Sequence, residues 1–216
     1  MIFRSRTDAG RLLASKLREA GLGDAVVLAI PRGGVVVGYE VAKALNAPLD
    51  VVVPRKIGAP YQPELAVGAV AEDGSLVVEE NIAQLVGASD EYIRETAEME
   101  IREIKRRVER YRGGRPPVDI RGKTVILVDD GLATGATMRA AIKYVRGLGA
   151  RKIVVAVPVA PPETVAKIRA EVDEVYCLQT PSEFYAIGQF YEEFEQTSDE
   201  EVIKLLAAAA RMEAGT

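Results

Sequence analysis

Five short, predominantly apolar runs constrain this chain more than any other feature. They are "AVVLAI" (25–30), "LDVVVP" (49–54), "TVILVD" (124–129), "KIVVAVPV" (152–159) and "EVYCL" (174–178). A strand that is apolar on both faces must be covered on both faces. Helical periodicity separates these runs. Residues 7–20 place Ala9, Leu12, Leu13 and Leu17 on one face, and 35–46 reads as a helix stopped by Asn46 and Pro48. A third helix carries Met138, Ala141, Ile142, Val145 and Leu148, and a fourth covers 162–171. Strands alternating with helices predict an α/β fold with a central parallel sheet flanked by helices. In such sheets ligands bind at the carboxyl ends of the strands, near the switch in strand order. The expectation is one domain over 1–216, with its core at about 24–178.

The alternation is interrupted once. "RKIGAPYQP" (55–63) is rich in Gly and Pro and reads as a loop, and 65–80 as a hairpin turning at Asp73-Gly74. Residues 89–112 predict a long charged helix with the stripe Ile93, Ala97, Ile101, Ile104, Val108, Tyr111. Glu98/Arg102 and Glu103/Arg107 are spaced for exposed pairs. "GGRPP" (113–117) ends it. An aromatic patch follows at 184–194, a last helix begins near Ser198, and 207–216 is expected to fray.

Composition removes whole classes of chemistry. The chain has no histidine, so His general bases, Ser-His-Asp triads and the usual zinc sites are out. One cysteine, Cys177, cannot form an internal disulfide. The net charge of -4 gives no global attraction to nucleic acid or anionic membrane, and no apolar run approaches membrane length. The expectation is a cytoplasmic protein with no membrane partner and no nucleic acid. The basic stretch "KRRVERYRGGR" (105–115) is interleaved with glutamates and reads as a solvated helix face.

Two loops at strand ends carry the chemistry. "VILVDDGLATGAT" (125–137) ends a strand in adjacent acids, Asp129 and Asp130, and enters a helix through small residues. Backbone amides at a helix start, approached closely past Ala133, Gly135 and Ala136 and joined by the hydroxyls of Thr134 and Thr137, suit a phosphate. A carboxylate cannot hold a phosphate, but it accepts hydrogen bonds from neighbouring hydroxyls or helps organise Mg²⁺ through water. Acids beside such amides describe a ribose 5-phosphate. The loop is neither a Walker A loop nor a dinucleotide fingerprint, since both glycine spacings are missing.

The same thirteen residues resemble the phosphoribosyl pyrophosphate (PRPP) binding motif of the type I phosphoribosyltransferases. That resemblance implies that Asp129 and Asp130 bind the ribose 2′- and 3′-hydroxyls and a Mg²⁺ ion, and that Ala133, Thr134, Gly135, Ala136 and Thr137 take the 5′-phosphate. It implies a pyrophosphate loop at "PRGG" (31–34), with Arg32, Gly33 and Gly34 as donors and a cis peptide at Pro31–Arg32. Lys56 and Arg55 would reach the pyrophosphate. Asp129, Asp130, Arg32 and Lys56 would be the catalytic set. By the same resemblance 57–80 takes the place of a mobile catalytic flap, with Tyr61 and Glu64 as candidates in it. The hood that chooses the acceptor would be 179–197, with Phe184, Tyr185 and Ile187 at the base and Phe190 and Tyr191 also able to stack on it.

The implied activity is Mg²⁺-dependent transfer of the 5-phosphoribosyl group to a nitrogenous base, as in purine salvage, by a homodimer. A PRPP-sensing regulator with little catalysis, binding nucleic acid through 105–115, is the alternative. Two departures from the 6-oxopurine enzymes stand out: Ala133 replaces an acid, and 152–159 lacks a lysine that would read a 6-oxo group. The long helix resembles an insertion of a less characterised prokaryotic subgroup. Some members of that subgroup are fused to a hydrolase domain, but this chain has no G-x-S-x-G elbow.

Overall fold

The computed structural model describes residues 1–215. Among these, five parallel strands form the central sheet: β1 (Ala25–Ala29), β2 (Leu49–Val51), β6 (Thr124–Val128), β7 (Lys152–Val159) and β8 (Glu174–Gln179). Their order is β2-β1-β6-β7-β8, so the winding reverses between β1 and β6. Those two strands pair in register from Ala25 with Thr124 to Ala29 with Val128. Their carboxyl ends therefore lie side by side, and PRGG and the acid pair begin there.

Alternate residues of each strand feed two separate cores. Val27, Ala29, Ile126, Val128, Val154 and Ala156 pack against α1 (Arg6–Ala20), α2 (Gly33–Leu45) and α7 (Asp199–Ala214). Val26, Leu28, Val125, Leu127, Ile153 and Val155 pack against α5 (Ala136–Gly147) and α6 (Pro162–Arg169). This is the double cover that continuous apolar strands require.

The insertion holds more structure than its sequence suggests. The stretch read as a loop contains β3 (Arg55–Ala59), which pairs antiparallel with β4 (Gln62–Val70), and β4 pairs with β5 (Leu76–Val78). The segment expected to form a flap is thus a three-stranded sheet, not a single hairpin. Gly58 marks the close approach of β3 to β4, since a β-carbon there would overlap the backbone of Pro63. A short helix, α3 (Glu80–Leu85), precedes α4 (Asp90–Arg112). On α4 the stripe residues Ile93, Ala97, Ile104, Val108 and Tyr111 are buried. Glu103 pairs with Arg107 at 2.9 Å, whereas Glu98 and Arg102 form no ion pair among the described residues.

The last helix does not fray where expected. α7 runs on to Ala214 because Val202, Leu206 and Ala209 bury one face of it; Thr216 lies outside the described residues. No helix among the described residues is long and apolar enough to cross a membrane.

Candidate active site

PRGG and the acid pair touch. The Pro31–Arg32 peptide is cis. Gly34 lies against Asp129, where a β-carbon would come within 2.9 Å of Oδ1 and 3.0 Å of the Asp129 Cα. Gly33 is tighter still against Asp130. The two glycines are there because any side chain would occupy the space of the acids.

The acids themselves differ. Asp130 is buried and its Oδ2 forms an ion pair with Arg6 Nε at 2.9 Å. Asp129 Oδ1 accepts a hydrogen bond from the Asp130 amide at 2.8 Å. Burial, and then the neighbouring charge of Asp130, hold the Asp129 carboxyl well above the ordinary carboxylate range.

After the acids the chain enters α5 with no side-chain cap and no acid in its first turn. Gly135 is the N-cap at φ +87, and a β-carbon there would come 3.0 Å from Thr164 Cγ2. Thr164 donates its hydroxyl to the Ala133 carbonyl at 2.6 Å and so fixes the loop. Ala133 and Thr134 are exposed and Thr137 is half-buried. Uncapped amides under exposed small residues leave the helix start open to an anion.

Arg32 is half-buried at the start of α2 and lies 3.7 Å from Asp199 at the start of α7. Asp199 also accepts from the Tyr111 hydroxyl at 2.7 Å and pairs with Arg110 at 2.9 Å. The Tyr111 bond, followed by the arginine charges, holds Asp199 below its ordinary value; burial raises Tyr111 to about 12. Arg55 and Lys56 stand on β3 and are engaged within the insertion. Arg55 pairs with Glu100 at 2.7 Å and Lys56 with Glu64 at 3.6 Å. Tyr61, at the tip between β3 and β4, is 99% exposed.

The hood aromatics divide into two groups. Phe190 and Tyr191 are buried in a small core with Phe3, so they are not available to stack on a base. The Tyr191 hydroxyl instead donates to the Asp130 carbonyl at 2.6 Å. Burial, and then the charge of Asp130, push that phenol upward. Phe184 stacks on Phe190 with centroids 5.3 Å apart, while Tyr185 is 85% exposed. Ile187 sits on the acid loop, where a β-carbon at Gly131 would come 2.7 Å from its Cγ2. Three residues outside the expected set thus shape the site: Arg6, Gly131 and Thr164. Gly131 and Thr164 are small and carry only local signals, and Arg6 has none.

The acid pair is the feature of this site that could meet a metal. No group of three or more His, Cys, Asp or Glu side chains suited to a metal occurs among the described residues. Two adjacent carboxylates, one already paired with arginine, supply the oxygen donors that Mg²⁺ takes.

The family description "Phosphoribosyl transferase domain" matches residues 4–195. A protein of Mycobacterium tuberculosis (strain ATCC 25618 / H37Rv), provisionally named a phosphoribosyl transferase, is 46% identical over 210 residues, covering 97% of this chain and 47% of that one. The chain therefore spans about half the length of the curated relatives it matches. The crystal structure of TT1426 from Thermus thermophilus superimposes with a TM-score of 0.82 at 46% identity, covering 96% of this chain and 99% of that one. AQ2163 from Aquifex aeolicus shares the fold at 15% identity with a TM-score of 0.50, covering 81% and 74%.

Proposed function

The chain belongs to the phosphoribosyl transferase domain family, and from that premise we propose that it transfers the 5-phosphoribosyl group of PRPP to a nitrogenous base with release of pyrophosphate. The supporting observation is the direct packing of Gly33 and Gly34 against Asp130 and Asp129, beside the open start of α5, at the adjoining ends of β1 and β6. One bound ligand would then span a pyrophosphate loop, two hydroxyl acceptors and a phosphate loop.

In the reaction a ring nitrogen of the base attacks C1′, the bond from C1′ to the pyrophosphate oxygen breaks, and the displaced nitrogen proton leaves to solvent. Positive charge develops on the ribose as the leaving group departs. Asp129 and Asp130 hold the 2′- and 3′-hydroxyls and present negative charge to that ribose, while the amides of 135–137 anchor the 5′-phosphate. The amides of Gly33 and Gly34, with the Arg32 guanidinium, receive the charge accumulating on pyrophosphate. Fixing both ends of the ligand keeps C1′ before the acceptor, so most of the rate enhancement comes from position and charge. Mg²⁺, held by Asp129 and Asp130 through water, would supply further neutralisation of the pyrophosphate. Lys56, on β3, would join the leaving group only when the flap closes and its pairing with Glu64 is exchanged.

The test is pyrophosphate release from Mg·PRPP against a panel of purine and pyrimidine bases. Release dependent on one base establishes the reaction and its acceptor. Absence of release with every base, together with no PRPP-induced rise in melting temperature, would overturn the reading.

A further inference from the structure

Resting on that reading, we propose that Arg6 is the positioning residue of the ribose-binding acid: it locks the Asp130 carboxylate to the hood through a closed ring of contacts. Arg6 opens α1 and lies 124 residues from Asp130 in the chain. Its Nε holds Asp130 Oδ2 at 2.9 Å, with both side chains 12% exposed. Its Nη1 donates to the Glu195 carbonyl at 2.7 Å, and its guanidinium lies 4.0 Å from the centre of the Phe194 ring. Phe194 in turn stacks on Tyr191 at 5.0 Å, and the Tyr191 hydroxyl holds the Asp130 carbonyl at 2.6 Å. The ring therefore closes: Arg6 to Asp130, to Tyr191, to Phe194, and back to Arg6.

Three physical consequences follow from this ring. A carboxylate on a strand-end loop would otherwise sample several rotamers, and ordering it on binding would cost affinity. Held at both its side chain and its backbone, Asp130 is fixed before the ligand arrives. Arg6 takes Oδ2, so the ligand hydroxyls would meet Oδ1 and the Asp129 carboxylate. Arg6 also halves the negative charge of an acid pair that must accept a ligand bearing phosphates. The planar fork of arginine suits three partners at once in a way that a lysine ammonium does not.

The backbone secures the same arrangement. The Phe3 amide donates to the Phe190 carbonyl and the Glu192 amide to the Phe3 carbonyl, each at 2.8 Å, so an isolated parallel bridge between Phe3 and Tyr191 pins the segment before α1 to the hood. Arg6 follows three residues later and is delivered between hood and acid. A residue serving only to anchor the hood would not need to face the ribose acid.

The experiment is a ³¹P NMR titration of ribose 5-phosphate and of inorganic phosphate with wild type, Arg6→Ala, Arg6→Lys and Phe194→Leu. Inorganic phosphate carries no ribose hydroxyls, so in either loop, 31–34 or 133–137, it does not call on the Asp130 carboxylate that Arg6 holds. Arg6→Ala should weaken ribose 5-phosphate on the order of tenfold to a hundredfold, the worth of a hydrogen bond to a charged group, and leave phosphate unchanged. Arg6→Lys and Phe194→Leu should fall between Arg6→Ala and wild type, and they carry the test if Arg6→Ala does not fold. Equal losses for both ligands would make Arg6 structural and overturn the proposal. So would wild-type affinity in every folded variant, and either result leaves the phosphoribosyl reading standing. Failure of wild type to bind ribose 5-phosphate or PRPP at all would remove the reading and the Arg6 role together.

Discussion

Gly33 faces Asp130 across so little space that a β-carbon on Gly33 would overlap the Asp130 carboxylate and stand 2.5 Å from Arg6 Nε. The atoms in the way are the ends of two side chains, which can rotate. Gly33→Ala should therefore keep the fold while displacing the Arg6–Asp130 pair and disrupting the PRPP site, and its melting temperature should fall with the loss of that largely buried pair. Gly34→Ala meets Asp129 Cα at 3.0 Å and the Val128 carbonyl at 3.2 Å, which are backbone and cannot yield so easily. It should cost about 1–3 kcal/mol of stability, as overpacking does. Thermal melts and PRPP titrations of the two variants separate the effects; equal melting and undiminished binding in Gly33→Ala would show that the two loops do not form one site.

The acids should trade stability for function in opposite directions. Burial and the charge of Asp130 raise the proton affinity of Asp129 in the folded chain. A carboxyl raised on folding stabilises the protein below its unfolded pKa, and that contribution disappears as pH rises through its folded value. Asp129→Asn stays neutral throughout, so at pH 7 it should melt no lower than wild type, with the advantage shrinking in acid. Pyrophosphate release should fall in Asp129→Asn, and Asp129→Asn combined with Asp130→Asn should abolish it with the fold intact. Unchanged turnover in the double variant would remove these carboxylates from the site.

Those two acids were legible in the sequence because a buried strand that ends in adjacent charges is a local pattern. The same holds for PRGG, for the five sheet strands and for the buried stripe of α4. Residues 55–59 were not, because Gly58 and Pro60 carry turn signals whatever sheet they join. Arg6 was not either: its partners lie 124 and 189 residues away, and nothing in "FRSRT" marks them. The hood aromatics are adjacent in sequence, but the 3-10 turn Ile187–Phe190 sends Phe190 and Tyr191 inward while Tyr185 stays outside. A cluster of aromatic residues carries no period from which that division could be read. The alanines of 207–210 look featureless for the same reason, although Ala209 is buried in the core and holds the tail in α7.

That division of the hood makes its own prediction. Tyr185 is exposed and packs little, so Tyr185→Ala should change stability by less than about 0.5 kcal/mol and, if Tyr185 meets the acceptor, raise the acceptor KM with the PRPP KM unchanged. Tyr191→Phe deletes the donor to the Asp130 carbonyl at a buried site. It should cost about 1–3 kcal/mol, the penalty of an unsatisfied buried acceptor, and weaken PRPP more than the acceptor. Steady-state kinetics in each substrate, read beside thermal melts, check both. The reverse pattern, with Tyr191→Phe affecting the acceptor alone, would reassign Tyr191 to the base pocket.

Asp199 ties three elements together, and its ionisation should be visible in the acid limb of stability. It accepts from Tyr111 on α4, pairs with Arg110 and lies 3.7 Å from Arg32 in the pyrophosphate loop. Those partners lower its proton affinity in the folded chain. A carboxyl lowered on folding contributes stability above its unfolded value, and loses it as pH falls through its folded value. Wild type should therefore exceed Asp199→Asn by about 1–2 kcal/mol at pH 7, the worth of a charged hydrogen bond discounted for partial exposure. The difference should close below the ordinary aspartate range. Tyr111 moves the other way: raised to about 12, its neutral form stabilises the fold below its unfolded value near 10, and the contribution fades as pH rises through about 12. Tyr111→Phe should flatten that alkaline limb and leave Asp199 with its arginines only. Chemical denaturation of wild type and both variants from acid to alkaline pH tests the pair. A wild-type advantage over Asp199→Asn that persists unchanged into acid would show that Asp199 acts by packing and not through its charge.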